Sequence, residues 1–172
     1  LDPIYGAFDA QHRQTVRLSP REFLAWHWNN RALDQLNVSA AAAQGLFQRA
    51  LWIDPANPHI LLNRGLLHRD RRRDPAAARA DFEAALRADP RFSEAHYELG
   101  NMEYDAGRYR DAATRYVQAL ALHSGDSRYR RNLILAQYRL GNLSEARRQL
   151  DLLAHQDPQA EGLVRLRRLV GS

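Results

Sequence analysis

Small and bulky apolar residues fall along this chain on a helical beat, and the beat itself repeats. In the stretch LGNMEYDAGRYRDAATRYVQAL (Leu99 to Leu120), Ala112 and Tyr116 stand four apart and Ala119 follows three later, so the three share one helical face. Aligning the chain on that face gives four registers: Ala43, Phe47, Ala50 and Pro55; Ala78, Phe82, Ala85 and Pro90; Ala112, Tyr116, Ala119 and Ser124; Ala146, Leu150, Leu153 and Pro158. The steps between them are 35, 34 and 34 residues. Chance spacing does not hold such a period over four copies. Small residues let two helix axes come close, and the bulky residue between them fills the space beside the contact.

The polar positions supply the boundaries. The pairs Asp54-Pro55, Asp89-Pro90 and Asp157-Pro158 end helices, because the residue before proline avoids the α region. Upstream of each aligned alanine a second helical segment is predicted. In the third copy it runs from about Ser93 to Ala106 and stops at Gly107, and Gly141 repeats that stop 34 residues on. Ser19-Pro20-Arg21-Glu22 has the form of a capping box with proline at the first helical position, and it opens the first helix. Asp74-Pro75 opens the second helix of the second copy. The predicted class is all-α. Four helix pairs are expected within residues 19–158, at about 24–57, 58–92, 93–126 and 127–158, after a linker or domain remnant over residues 1–18. The tail QAEGLVRLRRLV puts Leu163, Leu166 and Val170 on one face and Arg165, Arg167 and Arg168 elsewhere. Residues 159–172 therefore read as a helix capping the apolar side that a last repeat leaves open.

This pattern resembles the tetratricopeptide repeat, whose signature sets Trp, Leu-Gly, Tyr, Ala, Phe, Ala and Pro at fixed offsets within about 34 residues. Trp28, Gly65, Leu99-Gly100 and the four Ala/Phe/Ala/Pro sets carry the resemblance over residues 24–158. Departures are His96 in the usual Trp place, where a packing role is expected, and Ile134 in the usual Gly or Ala place. The second copy also lacks the mid-repeat glycine and carries an extra residue within RDRRRDP, so a longer, looser turn is expected there. The resemblance implies a right-handed superhelical solenoid whose first helices line a concave groove, and a groove that holds a protein or peptide partner.

The family's inward positions map onto Trp26, Asn29, Asn30 and Leu33 in the first copy and onto His59, Leu62, Asn63, Leu66, Arg69 and Asp70 in the second. In the third they fall on Glu94, Tyr97, Glu98, Asn101, Tyr104 and Asp105, and in the fourth on Arg128, Arg131, Asn132, Leu135, Tyr138 and Arg139. Candidate groove residues are thus Asn30, Asn63, Leu66, Tyr97, Asn101, Tyr104, Arg128, Arg131, Asn132 and Tyr138. Asparagine recurs at one position as Asn30, Asn63 and Asn132. A row of amides would hold the main chain of an extended ligand whatever its sequence, or would bond locally within the repeats. The third copy's positions are acidic and aromatic and the fourth's basic and aromatic. Such a groove orients a partner of mixed charge, unless the charges pair between repeats. The clamp with which some relatives grip chaperone tails is incomplete here: Asn29 and Leu33 stand where its first Lys and Asn belong.

Composition narrows the classes. All 25 basic residues are arginine, 20 acidic residues lie interleaved with them, and the net charge is +5. A nucleic-acid protein more often gathers its cations on one face; the short runs RDRRRD (Arg69 to Asp74) and RLRR (Arg165 to Arg168) read as solvated or salt-bridged segments. Cysteine is absent, which removes disulfides, thiolate chemistry and Cys-based zinc sites. The seven histidines show no metal-ligand spacing, and neither a phosphate loop nor a Gly-x-Ser-x-Gly element occurs. No catalysis, cofactor or metal is expected. No apolar run nears the roughly 18 residues of a membrane span. The opening LDPIYGAFDAQHRQ has neither an initiator Met nor a signal-peptide layout. A segment of a longer bacterial protein is expected, cytoplasmic or periplasmic. FLAWHWNNRALDQL (Phe23 to Leu36) looks like the first repeat after a transglutaminase-like domain in some bacterial proteins, which implies an accessory module. A homodimer through Leu163, Leu166, Leu169 and Val170 is the remaining alternative.

Overall fold

The computed structural model describes residues 19–160 and 162–171; the linker expected over residues 1–18 lies outside them. The helices are α1 (Pro20–Gln35), α2 (Ala40–Ile53), α3 (Pro58–Asp70), α4 (Pro75–Ala88), α5 (Ser93–Asp105), α6 (Tyr109–Leu122), α7 (Ser127–Arg139), α8 (Leu143–Gln156) and α9 (Leu163–Gly171). Among the described residues there is no strand.

Local chemistry sets the ends. The capping box at α1 is complete: Glu22 N–H donates to Ser19 Oγ at 3.2 Å, and Ser19 N–H donates to the Glu22 carboxylate at 2.7 Å. Ser39, Asn57 and Asp74 cap α2, α3 and α4 by accepting N–H bonds from Ala42, Ile60 and Ala77 at 3.2, 3.2 and 3.0 Å, each worth about 1 kcal/mol. At the other end, Asp54 and Asp157 leave the α region after α2 and α8 and before their prolines, at φ −130° and −141°. His123 leaves α6 in the same way, at φ −141°, although Ser124 replaces the proline. The packing period holds the helix stop even where proline does not enforce it.

Three of the four turns between paired helices pass through a left-handed residue; the α1–α2 turn does not. Gly107 and Gly141 supply it at φ 75° and 76°. The next N–H then reaches back five residues, from Arg108 to Glu103 O and from Asn142 to Gln137 O, both at 2.9 Å. In the second copy Arg73 takes the left-handed place at φ 52°. The extra residue widens the loop by one, so Asp74 N–H bonds His68 O at 2.9 Å. Arg71 adds a 2.7 Å bond to the Asn37 side chain. The turn is longer, as the insertion requires, but hydrogen-bonded rather than loose.

The chain divides into two compact units, residues 1–78 and 79–172. In the first, α1 packs on α2 and α2 on α3. Ala25 and Ala32 of α1 and Ala43, Phe47 and Ala50 of α2 are all buried there. In the second, α5 packs on α6, α6 on α7, α7 on α8 and α8 on α9. Gly100 on α5 is where backbone and ring come closest: a Cβ there would stand 2.6 Å from Tyr116 Cε1. One repeat later the volumes are exchanged. Ile134, fully buried, stands in the glycine place, and the smaller Leu150 stands in the tyrosine place of the same cluster. Close packing fixes the sum of the two volumes and not each residue.

The last helix is a cap. Leu163, Leu166 and Val170 are 6%, 3% and 1% exposed, in one cluster with Ile134, Leu150 and Leu153, and Leu169 packs against it. Arg147 Nε donates to the Val170 carbonyl at 2.8 Å. The residues suggested for self-association are therefore consumed within the chain, and that reading is withdrawn for this helix face.

Candidate functional site

The inward positions of the third and fourth copies meet on neighbouring helices of the second unit. Asn132 on α7 donates through Nδ2 to Asn101 Oδ1 at 2.8 Å and to the Tyr97 hydroxyl at 3.2 Å, both on α5. Asn101 Oδ1 also accepts from the Tyr116 hydroxyl at 2.9 Å, while its own Nδ2 donates to Glu98 at 3.1 Å. A continuous amide and phenol network thus joins three helices. Each position is the chemistry that the spacing put there: one turn of helix separates Tyr97 from Asn101, so both reach the same partner.

Aromatic rings back this network. Tyr97 stacks at 4.8 Å from Tyr129 and 5.9 Å from Tyr116. The Arg128 guanidinium lies 5.8 Å from the centroids of both Tyr97 and Tyr129. Burial pushes the Tyr129 hydroxyl up to about 12, and it shares a 3.4 Å hydrogen bond with Ser93 Oγ. The Tyr129 phenol stays neutral at any ordinary pH. Arg128 is also held by Asp126 at 2.6 Å; burial would raise that carboxyl, but the Arg128 bonds hold it below the usual carboxylate range. At the far end Arg139 Nε donates to the Tyr104 hydroxyl at 3.3 Å.

Charge is distributed as two edges. On α5 lie Glu94, Glu98 and Asp105; on α7 lie Arg128, Arg131 and Arg139. Beside the α7 edge opens a cavity of about 660 Å³, lined by Tyr104, Arg131, Asn132, Leu135, Tyr138, Arg139, Gly162, Arg165, Leu166 and Leu169. A smaller one of about 220 Å³ reaches Asn101, Tyr104, Asp105, Tyr116, Asn132 and Leu135. Tyr97, Asn101, Tyr104, Arg131, Asn132 and Tyr138 therefore come together, and Arg128 lies at one end. The sequence reading missed that α9 builds a wall through Arg165 and Leu169. The signal was present in Arg165 standing next to the buried Leu166.

In the first unit the candidates are arranged differently. Asn63, 4% exposed, donates to Asn29 Oδ1 at 3.0 Å, and Asn29 donates to Asn30 Oδ1 at 3.3 Å. The row that the sequence drew through Asn30 passes through Asn29 instead. Leu66 is half-buried and Trp26 is 38% exposed. The basic run near Arg69 is tied by Arg69–Asp70 at 2.6 Å and by the Arg71–Asn37 bond. Among the described residues no group of three or more His, Asp and Glu is placed to hold a metal, and no helix is long and apolar enough to cross a membrane.

The sequence matches the family described as tetratricopeptide repeat over residues 30–90, 62–109 and 97–161. The chain belongs to that family. Tetratricopeptide repeats commonly mediate protein–protein interaction, and proteins built from them are generally non-catalytic scaffolds. Solved structures agree on the fold. Pseudomonas aeruginosa pilF superposes with a TM-score of 0.79 at 19% identity, covering 89% of this chain and 70% of that one. A tetratricopeptide repeat protein from Parabacteroides merdae gives 0.70 at 22% identity, over 86% of this chain and 59% of the other. The first TPR of Spaghetti (RPAP3), solved with the HSP90 peptide SRMEEVD, gives 0.63 at 17% identity, over 70% and 95%. No curated protein matches the sequence at a significant level.

Proposed function

We propose that this repeat segment is a non-catalytic interaction module that receives a segment of a partner protein across the α5–α7 face. The carrying observation is the Asn132–Asn101–Tyr97 network. It fixes the rotamers of polar side chains between an acidic edge and a basic one before any ligand arrives. Preorganisation of that kind lowers the ordering cost of binding, and the opposed edges set the direction in which a partner lies. The relative solved with a peptide supports the reading as precedent within the family. The chaperone-tail clamp of some family members is not carried over, because Asn29 and Leu33 interrupt it here.

The test is capture from a lysate of the source organism with three proteins: wild type, the face variant Glu98→Lys/Arg128→Glu, and the outer variant Val117→Glu, at a residue 51% exposed on α6. A partner held by wild type and Val117→Glu and lost by the face variant is the expected result. Loss by the outer variant alone would move the site off this face.

A further inference from the structure

We propose that the exposed face of α2 is a homodimer interface, on which a second copy of this chain packs its own α2 antiparallel about a two-fold axis. The proposal uses first-unit residues only and goes beyond the interaction reading above.

Trp52 is 83% exposed, more than any other large apolar side chain among the described residues. Ala41, Gly45, Gln48 and Trp52 follow one another along α2 at steps of four, three and four, so they form one stripe. Ala41 and Gln48 are exposed and Gly45 is half-buried. A glycine inside a helix costs stability relative to alanine. At Gly100 the Tyr116 ring demands one, whereas a Cβ added at Gly45 would meet nothing within 4 Å. The room beside Gly45 is open to another molecule.

Charge is missing from this face. Within α2 only Arg49 is charged, and its guanidinium is drawn aside over Trp28, 5.2 Å from the ring centroid. The corresponding helices of the third and fourth copies expose Arg110 and Asp111 on α6 and Arg147, Arg148 and Asp151 on α8. Depletion of charge around an exposed aromatic residue marks the core of an interface. The face continues onto α1. Arg21 Nε donates to the Ile53 carbonyl at 2.6 Å, and Leu24, 45% exposed, lies between Arg21 and Trp28 on the same side of α1.

A second copy fits because the stripe is complementary to itself. Trp52 and Gly45 are two turns apart, so an antiparallel copy sets each Trp52 over the other's Gly45. Both Gln48 side chains then lie near the axis, where amides donate to and accept from each other. A two-fold contact sets one patch against the same patch, so a charged face would repel itself, and this one is neutral but for Arg49. A tryptophan carries about 150–250 Å². With both Trp52 rings, both Leu24 side chains and both stripes, the buried total is on the order of 1,000 Å², where specific interfaces begin.

Sedimentation velocity over about a hundredfold range of concentration is the test, on wild type, Trp52→Ala, Gly45→Leu and the control Val117→Ala on α6. Wild type and the control are expected to pass from monomer to dimer. Trp52→Ala and Gly45→Leu should each raise the dissociation constant at least tenfold while keeping the helical circular dichroism of wild type, since both positions are open to solvent. The chain has no cysteine, so Gln48→Cys reports the register: a bismaleimide should couple two chains through it at least tenfold faster than through Val117→Cys. A wild type that stays monomeric, as it would if a different protein or another segment of this chain covered the stripe, overturns the proposal. A dimer indifferent to both α2 variants, a dimer that does not couple through Gln48→Cys, or assembly that continues past the dimer overturns it equally. The two readings fail separately, because Glu98→Lys/Arg128→Glu changes no residue of this face.

Discussion

At the scale of single residues, the second unit depends on one missing side chain and one buried charge. Gly100 lets Tyr116 approach to a distance no Cβ tolerates, and the ring, 1% exposed, has nowhere to retreat. Gly100→Leu should therefore destabilise by about 1–3 kcal/mol or more by overpacking, read as a fall in thermal midpoint. An unchanged midpoint would show that the helices do not meet at this point. Glu103 is 8% exposed and takes hydrogen bonds from Arg79, at 2.8 Å, and from Arg108. Burial would raise its carboxyl, but Arg108 and Arg79 together hold it below the usual carboxylate range. His96 is lowered too, which in a histidine disfavours the charged form: burial keeps the ring neutral, and the Arg115 cation adds to that, against the Pro90 carbonyl at 3.2 Å.

The two shifts give an acid limb in two stages. A histidine whose folded pKa is depressed costs nothing above its unfolded value of about 6.5, and stability falls below that pH as the unfolded chain takes up the proton. A carboxylate with a depressed folded pKa contributes fully above its unfolded value of about 4.3, and that contribution is lost as pH falls through the folded one. His96→Gln should remove the upper stage and Glu103→Gln part of the lower. At pH 7 only the second should cost stability, by about 1.5–3 kcal/mol for a charged hydrogen bond. Urea titrations from pH 7 to pH 3 check both signs.

At the scale of elements, the turns carry the repeat's tolerance. Gly107 and Gly141 occupy the left-handed region at no steric cost, whereas Arg73 occupies it with a side chain. Strain of that kind costs about 1–3 kcal/mol, partly balanced by the greater freedom glycine has when unfolded. Arg73→Gly should stabilise by about 1 kcal/mol, seen in a chemical denaturation midpoint shifted upward at constant slope. A loss instead would mean that the Arg73 side chain makes a compensating contact. The α6 stop at His123, reached without proline, makes the same point. Where tertiary packing decides the length of a helix, the local signal can be dropped.

For the whole molecule, stability in such repeats is close to a sum of unit and neighbour terms. A lesion should therefore be felt mostly where it is made. Gly100→Leu is expected to speed amide exchange strongly in α5, α6 and α7 and to leave α1 and α2 within about twofold. Equal acceleration everywhere would show a single cooperative transition. The candidate site lies wholly within the second unit, so a first-unit substitution such as Asn63→Ala should leave partner capture across the α5–α7 face unchanged.

What the sequence determined by itself was whatever depends on neighbours a few residues apart. The period, the Ser19 and Asp74 caps, the glycine stops and the proximity of Tyr97, Asn101 and Asn132 follow from helical geometry and a repeat of constant length, so they were legible. The tertiary structure decided what depends on how one helix turns against another. Volume is shared between helices, so Ile134 stands where a glycine was expected because Leu150 made room. The path of the chain after α8 turned a capping helix into a cavity wall, and set Arg165 beside Arg131 and Arg139. Helix faces are written in short-range spacing, whereas the pairing of faces is settled only when their side chains compete for the same space.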